Sequence, residues 1–517
     1  MSLPTTQSRT TLWRGGRVLS PTSPDATAVL VEDAAITWIG PDDEAPSADE
    51  TVDLDGALVT PAFVDSHVHL TGTGSSLVGL HLDGLGSARE VLDEVAGFAR
   101  SLPPDAVVLV GGWDETAWDD PAPPTGEEVE RAAGGRLAYL SRACGHIGIA
   151  GPRVLAEHPE LRALDGAVEG GPLTRTAHRA ARGHLAAAVP VSQRLVLAQA
   201  ALDRAASLGI AAVVEHTVPV AADPLAEAEF TGLIELGSRP DNPAVHGWWG
   251  ELRAAERARD LGAHGCGGDL SVDGSIGART AYLSGPYRDD ESTNGAAYLT
   301  VDQVRDHLAD CHRVGLSAAF HAIGDAAVRI VLDGLDLVEQ TVGLEAIRHA
   351  RHRIEHAELL DAAMIARMVH YDVHASVQPA FDAAWGGGEG MYHARLGREA
   401  ALEANPFARL AGVGVPLAFG SDSPVTPLDP WGGVRAAVRH HHPGLRLSPA
   451  TAFAAATRGG WRALGVDDAG SLSPGMRADF AVWDLTEPGV PDVGNPDMPD
   501  PKCAMTVAAG HLIYRRG

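Results

Sequence analysis

The stretch "PAFVDSHVHL", residues 61–70, is an apolar run that ends in two histidines one residue apart, His67 and His69. On a strand, residues i and i+2 face the same side, so both imidazoles can reach one metal ion. A chain with 23 histidines in 517 residues is expected to contain about one such pair by chance. A second pair, His440 and His442 in "RHHHPG", is interpreted as an exposed turn. From spacing alone, two interpretations of His67 and His69 are equally good. They could bind a metal, or they could bond to backbone carbonyls at the end of a strand.

This run is the first of eight that alternate with amphipathic helical stretches along the middle of the chain. The runs are "LVTPAFVDSHVH" (58–69), "GIAAVVEHT" (209–217), "PAVHGWWGE" (243–251), "GGDLSVDG" (267–274), "LSAAFHAIG" (316–324), "RHRIEHAE" (351–358), "VHASVQP" (373–379) and "VPLAFGSDSP" (415–424). Alternating strand and helix patterns predict a parallel sheet of the α/β class, and eight repeats predict a (β/α)8 TIM barrel. Seven of the eight runs end with His, Asp, Glu or Gln where a barrel strand faces the active site. The run "PAVHGWWGE" fits a strand least well.

Both ends of the chain are rich in short strand patterns that neither end could complete as a stable sheet alone. We therefore predict a small composite β-sandwich from residues 1–60 and 468–517, with residues 61–467 as the barrel. The first two runs are separated by roughly residues 71–207, which is too long for one connection between successive strands. An inserted subdomain at about 75–190, after the first barrel strand, is the expected explanation.

The charge of the chain restricts its partners. Asp and Glu total 68 against 40 Lys and Arg, and the net charge of −28 would repel a phosphate backbone, so we expect no nucleic acid partner. No window approaches a membrane span of apolar residues, and the N-terminal stretch lacks an apolar signal segment, so we expect no membrane association. The four cysteines form no CxxC pair, which favours reduced thiols and a cytoplasmic location. A small-molecule substrate is the expected partner, and a homodimer remains open.

Three further strand ends carry groups that bind metals. His321 lies at the end of "LSAAFHAIG", His356 at the end of "RHRIEHAE" and Asp422 at the end of "VPLAFGSDSP". Each alone can be interpreted as a hydrogen-bonded polar residue at a strand terminus. Together with His67 and His69 they place four imidazoles and a carboxylate on one rim of the predicted barrel, which is a ligand set that suits zinc, iron or manganese.

Eight motifs occur in the order expected of a known family. They are "PAFVDSHVHL", "GGWDETAW", "DGSIGARTAYLSGPY", "HAIGDAA", "RIEHAELLD", "ASVQP", "GSDSPV" and "GSLSPGMRADFAVWDL". In this order the sequence resembles the metal-dependent amidohydrolase superfamily, in the amidohydrolase family 3 branch that includes N-substituted formamide deformylases. The resemblance covers nearly the whole chain, including the predicted β-sandwich. It is specific to fold and metal dependence, and much less specific to substrate.

The resemblance assigns roles to the matching positions. It implies that His67 and His69 bind the metal from the first strand, and that His321 and His356 bind it from the fifth and sixth strands. It implies that Asp422, after the eighth strand, binds the metal and moves protons. In this chemistry a metal-activated hydroxide attacks a carbonyl carbon, and Asp422 passes the water proton to the departing nitrogen.

The bridging position departs from the family pattern. Many members of the superfamily bridge two metals with a carbamylated lysine at the end of the fourth strand, but the only lysine here is Lys502, near the C-terminus. The matching position is Asp269 in "GGDLSVDG". Asp269 could bridge two ions, or it could only hydrogen-bond neighbouring strands. The alternative to a bridge is a single ion held by His67, His69, His321 and Asp422, with His356 polarising the water. The implied cofactor is a divalent metal, with zinc expected first and iron or manganese as alternatives.

Other residues are candidates for substrate binding or support. Arg279 lies in "DGSIGARTAY", where a structural turn is an equal alternative, and Tyr282 in the same motif could reach the pocket. Gln378 ends the seventh run, and Trp113, with other tryptophans such as Trp385, could form an apolar lid, although tryptophans are more often core. His216 ends the second run, where it could support a metal ligand.

We therefore predict a metal-dependent hydrolase that cleaves a carbon–nitrogen bond other than a peptide bond, in an amide or an N-substituted formamide. The sequence contains no G-x-S-x-G elbow, no Walker A loop and no G-x-G-x-x-G, so serine hydrolases, nucleotide hydrolases and dinucleotide enzymes lose support. A deaminase or a cyclic-amide hydrolase on the same fold is the first alternative. A non-catalytic barrel that binds a small molecule is the second.

Overall fold

The computed structural model describes residues 9–143, 147–219, 223–485, 487, 489–495, 498 and 501–517. The chain forms two compact units. The first unit is Met1–Thr73, Ala201–Val218 and Phe230–Gly517, and the second unit is Gly74–Ala200 and Pro219–Glu229. Cys144 lies outside the described residues, whereas the other three cysteines are buried free thiols.

An eight-stranded parallel sheet forms the centre of the first unit. Asp422 N–H donates to the His67 carbonyl at 2.7 Å and His69 N–H donates to the Ser423 carbonyl at 2.9 Å, so the last strand returns to the first at the rim. Each strand otherwise pairs with its neighbour in chain order, and the predicted TIM barrel is confirmed. The strands are β1 Phe63–Val68, β2 Ile210–Thr217, β3 Ala244–Trp249, β4 Gly265–Cys266, β5 Ser317–Ala322, β6 Arg353–His356, β7 His374–Val377 and β8 Leu417–Phe419.

Two of the predicted strand runs differ from the strands that form. Residues 58–69 contain two strands, because Leu58–Pro61 pairs with a C-terminal strand in another sheet while β1 enters the barrel. β4 ends at Cys266, so "GGDLSVDG" follows the strand instead of forming it. Gly267 and Gly268 have φ angles of +114° and +76°, and this backbone turns the chain out of the sheet.

Helices connect the barrel strands. Val301–Val314 shows how the sequence sets their ends, because Thr300 and Gln303 form a reciprocal capping box at its start and Gly315, at φ 76°, ends it. The helices in or entering the first unit are Leu70–Val78, Val191–Ser207, Ala226–Gly237, Ala255–Asp260, Val301–Val314, Asp325–Val342, Leu344–Ala350, Ala362–Tyr371, Pro379–Trp385, Met391–Leu396, Arg398–Glu403, Phe407–Val413, Pro430–Arg439, Pro449–Ala456 and Arg458–Ala463, with 3-10 turns at Asp42–Glu44 and Pro443–Leu445.

Two small sheets from the chain ends share one hydrophobic core in the first unit. Trp13 from the N-terminal segment meets Phe480 from the C-terminal segment edge to face, with ring centroids 5.1 Å apart. Val29, Ile36 and Val507 pack in the same cluster. The first sheet contains Ala35–Gly40, Ala28–Glu32, Thr10–Arg14 and Glu50–Asp53, and the second contains Arg17–Val18, Leu58–Pro61, Phe480–Trp483, Cys503–Ala508 and His511–Arg515.

The second unit has a sheet and a core of its own. Trp113 and Trp118 are buried together with Val91 and Val95 in that core. Its strands are Val108–Trp113, Ala138–Arg142, Ile147–Ala150 and Leu173–Thr174, its helices are Ala88–Ser101, Gly126–Ala132, Pro152–Glu157 and Arg175–Ala188, and its 3-10 turns are Glu115–Ala117 and Pro159–Ala163. Among the described residues no single helix is long and apolar enough to cross a membrane, although Arg175–Ala188 and Val191–Ser207, bent by 91°, meet that criterion as a pair.

Candidate metal centre

The carboxyl ends of the barrel strands bring four histidines and two aspartates to one place. Asp269, just after β4, lies among all four imidazoles. Its Oδ1 atom is 3.4 Å from His67 Nε2, 3.4 Å from His321 Nδ1 and 3.6 Å from His356 Nε2. Its Oδ2 atom is 3.2 Å from His69 Nε2. The residues brought together are therefore those that the sequence suggested as metal ligands, with Asp269 at their centre.

Asp422 approaches the same centre from β8. Its Oδ1 atom is 3.2 Å from His69 Nε2 and 3.5 Å from His67 Nε2. Asp422 and His356 have positive φ angles of 52° and 70°, which are uncommon for residues with a side chain. Strained backbone of this kind tends to cluster at functional sites, where it aims a side chain.

The nitrogen of each imidazole that faces away from the centre lies against an oxygen that accepts a hydrogen bond. That nitrogen therefore carries the proton, and the other nitrogen presents a lone pair to the centre. The outward contacts are His67 Nδ1 to Glu355 Oε2 at 2.9 Å, His69 Nδ1 to the His216 carbonyl at 3.1 Å, His321 Nε2 to the Gly274 carbonyl at 3.3 Å and His356 Nδ1 to Gln378 Oε1 at 2.7 Å.

The donor set fits a divalent cation. Among the described residues, His67 Nε2, His356 Nε2 and Asp269 Oδ1 are buried atoms with no hydrogen-bond partner, and they face one another. Burial disfavours charge here, yet Asp269 and Asp422 raise the pKa of His67 to about 10, and His67 helps to hold the pKa of Asp269 well below its ordinary value. Imidazole lone pairs and carboxylate oxygens that attract positive charge this strongly are typical ligands of divalent metals.

A buried ion pair contacts His67 on the side that faces away from the centre. Arg353 Nε donates to Glu355 Oε1 at 2.8 Å, and one of its terminal nitrogens donates to Glu355 Oε2 at 2.9 Å, with both side chains fully buried. His216 stacks on His67 with ring centroids 3.9 Å apart. Burial and the neighbouring charge of His67 lower the pKa of His216 well below its ordinary value, so His216 is a neutral support. The Glu355 carboxylate thus fixes the orientation of His67.

A cavity of about 380 Å³ opens on the metal centre. Apart from the ligands, the described lining residues are mainly apolar and aromatic, and Glu358 is the one acidic side chain among them. Burial is the main reason that the pKa of Glu358 rises to about 7. The wall residues include Ile276, Ile323, Phe381, Trp385, Met391 and Tyr392.

The four residues suggested for substrate binding have other contacts. Gln378 holds His356, and Trp113 lies in the core of the second unit. Arg279 donates to both carboxylate oxygens of Asp289, at 3.0 and 2.8 Å, and does not line the described cavity. Tyr282 is not among the described lining residues either, and its backbone N–H donates to Asp273 at 2.8 Å.

Most of the cavity wall could not be predicted from the sequence. Trp385, which the sequence suggested for an apolar lid, does line the cavity. Phe381 and Tyr392 lie on short helices after β7, where apolar residues indicate burial but not the cavity that they face. Glu358 could also have been detected, since it stands two residues after a predicted ligand. His440, expected in an exposed turn, is instead fully buried, with its Nε2 donating to the Ala404 carbonyl at 3.2 Å.

The comparison with protein families agrees with this geometry. A model of the Amidohydrolase family matches residues 50–514. The chain belongs to the amidohydrolase family. It is accordingly a hydrolase that acts on carbon–nitrogen bonds other than peptide bonds.

Similar proteins include both curated sequences and solved structures. This amidohydrolase is 28% identical over 459 residues to YtcJ of Bacillus subtilis, a protein that is also named an amidohydrolase. The match covers 83% of each chain. It is 26% identical over 475 residues to an imidazolonepropionase of Cereibacter sphaeroides, covering 90% of each. A metal-dependent hydrolase from Pyrococcus furiosus, described as uncharacterized, superposes with a TM-score of 0.78 at 25% identity, covering 94% of this chain and 100% of that one. These matches and the donor set support dependence on a divalent metal.

Proposed function

We propose that this amidohydrolase cleaves the carbon–nitrogen bond of an amide, in particular an N-substituted formamide, with zinc as its metal. The observation that carries the proposal is the position of Asp422. Its carboxylate lies 3.2 Å from His69 in the ligand cluster and also lines the cavity, so one group touches both the metal centre and the space for a substrate. The imidazole and carboxylate donors suit zinc, with iron and manganese as alternatives.

The residues of the centre have two roles, which are to hold the cation and to move a proton. His67, His69, His321, His356, Asp269 and Asp422 would hold the cation through the atoms that face one another. A bound divalent cation supplies Lewis acidity, which polarises a carbonyl group and makes water acidic near neutral pH.

Asp422 is placed to move the proton. Burial raises its pKa, but the neighbouring His67 and His69 more than compensate and lower it, so the carboxylate is ionised and can accept a proton from the attacking water. It can then return that proton to the departing nitrogen, because amines leave poorly unless they are protonated. His356, whose Nδ1 is fixed by Gln378, would present its other nitrogen to the cation at the wall of the same cavity.

We also propose that Asp269 bridges two ions in place of a carbamylated lysine. Its two oxygens contact imidazoles on β1, β5 and β6, which supports a shared ligand at the centre. Metal analysis of the wild type and of Asp269→Ala, both expressed without added metal, tests this. The bridge predicts about two ions in the wild type and fewer in the variant. About one ion per chain in both the wild type and the variant would contradict the bridge.

Product analysis tests the reaction itself. The zinc-loaded protein is incubated with a panel of N-substituted formamides and other amides, and formate or carboxylate, amine and ammonia are measured. Release of amine together with the acid supports the proposal. Release of ammonia indicates a deaminase, and ring opening without a released fragment indicates a cyclic-amide hydrolase. Protein that binds no metal and stays inactive with zinc, manganese and iron would point to a non-catalytic barrel.

The domain arrangement is part of the same proposal. The two terminal sheets would form a composite β-sandwich, supported by their shared core and by the contact between Trp13 and Phe480. The second unit would be an insertion that follows the first barrel strand, supported by its separate sheet and core.

A further inference from the structure

The cavity beside the metal centre contains a buried acidic side chain that the catalytic scheme does not use. Glu358 is 2% exposed and lines the cavity, and its Oε2 atom accepts a hydrogen bond from the Tyr392 hydroxyl at 2.5 Å. No arginine or lysine of the described residues forms an ion pair with it. A carboxyl group buried to this extent is either protonated or paired with a cation, because removing the charge from water is costly. The cavity is the side from which such a cation can come.

The surroundings of Glu358 favour a cation further. Phe381 and Trp385 pack with ring centroids 4.8 Å apart, and the Trp385 and Tyr392 centroids lie 6.4 Å apart, so three adjacent aromatic rings line the cavity. Aromatic faces attract ammonium groups, and the attraction is strongest where water is excluded. The described lining residues include no arginine or lysine that would neutralise a carboxylate or phosphate on a substrate.

We propose that the substrate is an amide that carries a protonated amine on the substituent of its amide nitrogen. Glu358 binds this ammonium group beside the aromatic residues of the cavity wall. This inference rests on the proposed amide hydrolysis and names its substrate class. Tyr392 acts through Glu358, since its hydroxyl holds one carboxylate oxygen. Substrates with a carboxylate at the same place are disfavoured by the same charge.

Three formamides of equal length separate charge from shape. They are N-(4-aminobutyl)formamide, N-pentylformamide and 5-formamidopentanoate, assayed with the zinc-loaded wild type and with Glu358→Gln. In the wild type, kcat/KM should be highest for the ammonium compound and lowest for the carboxylate. Glu358→Gln should lower kcat/KM for the ammonium compound by at least about 30-fold more than it lowers kcat/KM for N-pentylformamide. Glu399→Gln, an exposed site, controls for the loss of one charge.

The ratio between two substrates on one preparation does not depend on how much protein is folded. An equal loss on both substrates with Glu358→Gln would show a structural role and overturn the inference. A wild type that prefers N-pentylformamide or the carboxylate would overturn it as well.

A binding measurement separates this inference from the proposed function. Pentylamine should raise the melting temperature of the zinc-loaded wild type more than pentanol does, and this difference should disappear in Glu358→Gln. If no formamide is cleaved but the difference is seen, the proposed reaction fails and the cation site stands. If formamides are cleaved but the protein prefers neither the ammonium substrate nor pentylamine, only the cation site fails.

Discussion

At the scale of single residues, the metal centre depends on the histidine nitrogens that face away from it. The sequence could predict His67, His69, His321 and His356, because each stands at the end of an apolar run. Among the groups that hold these histidines, it suggested only His216 as a support. The Glu355 carboxylate that orients His67 lies 288 positions away along the chain, on β6, and only the closed barrel brings the two together.

Gln378 provides a test of this orientation. Gln378→Leu removes the oxygen that accepts from His356 Nδ1, so His356 should lose its fixed tautomer and the affinity for zinc should fall about 10- to 100-fold. Competition with a chelator measures the affinity. Gln378→Glu retains an accepting oxygen and should keep most of it. Equal affinities for the leucine variant and the wild type would contradict this role.

At the scale of elements, the sequence could predict the barrel but not how its fourth strand ends. The alternation of apolar runs with helical stretches indicates the barrel strands. The polar residues at the ends of seven runs indicate the functional rim. β4 has only two residues, because Gly267 and Gly268 turn the backbone before Asp269. The same limitation applies to the cavity wall, where side chains from separate short helices meet only in the folded chain.

Two glycines close together in sequence test the turn after β4. A Cβ at Gly268 (φ +76°) would lie 2.3 Å from His216 Nδ1, whereas a Cβ at Gly262 (φ +78°) would meet nothing within 4 Å. Gly262→Ala should cost about 1 kcal/mol of unfolding free energy from backbone strain alone. Gly268→Ala should cost about 3 kcal/mol or more and also reduce bound metal, because Asp269 moves. Denaturant unfolding and metal analysis measure both, and equal effects of the two variants would contradict the steric argument.

At the scale of the whole molecule, the first unit buries several neutral histidines outside the metal centre. Burial is the main cause that lowers the pKa of His307 to about 4 and those of His352 and His374 to about 3. His307 Nδ1 accepts from the Arg253 N–H at 2.9 Å, and His352 Nδ1 accepts from the Ala318 N–H at 3.0 Å. Protonation would therefore break a backbone hydrogen bond as well as bury a charge.

These histidines predict acid sensitivity. The unfolded chain takes up protons near pH 6.5 while the folded chain stays neutral until about pH 4 or 3, so stability is lost as the pH falls through this window. Each histidine should account for about 2 kcal/mol between pH 6.5 and pH 5. Denaturant unfolding at pH 7.5 and pH 5 measures the loss. His352→Gln should reduce it by about that amount, whereas His370→Gln, at a half-exposed site, should not. A loss that His352→Gln leaves unchanged would contradict the assignment.

The central claim is that the ligand cluster at the barrel rim carries out hydrolysis with a bound metal. The most direct measurement is the rate of formate release from an N-substituted formamide while chelated protein is titrated with zinc. The rate should rise in proportion to bound zinc until the site is filled, and His321→Ala should bind less zinc and lose the rate. Formate release that persists in fully chelated protein, or that survives in a zinc-free His321→Ala variant, would contradict the claim.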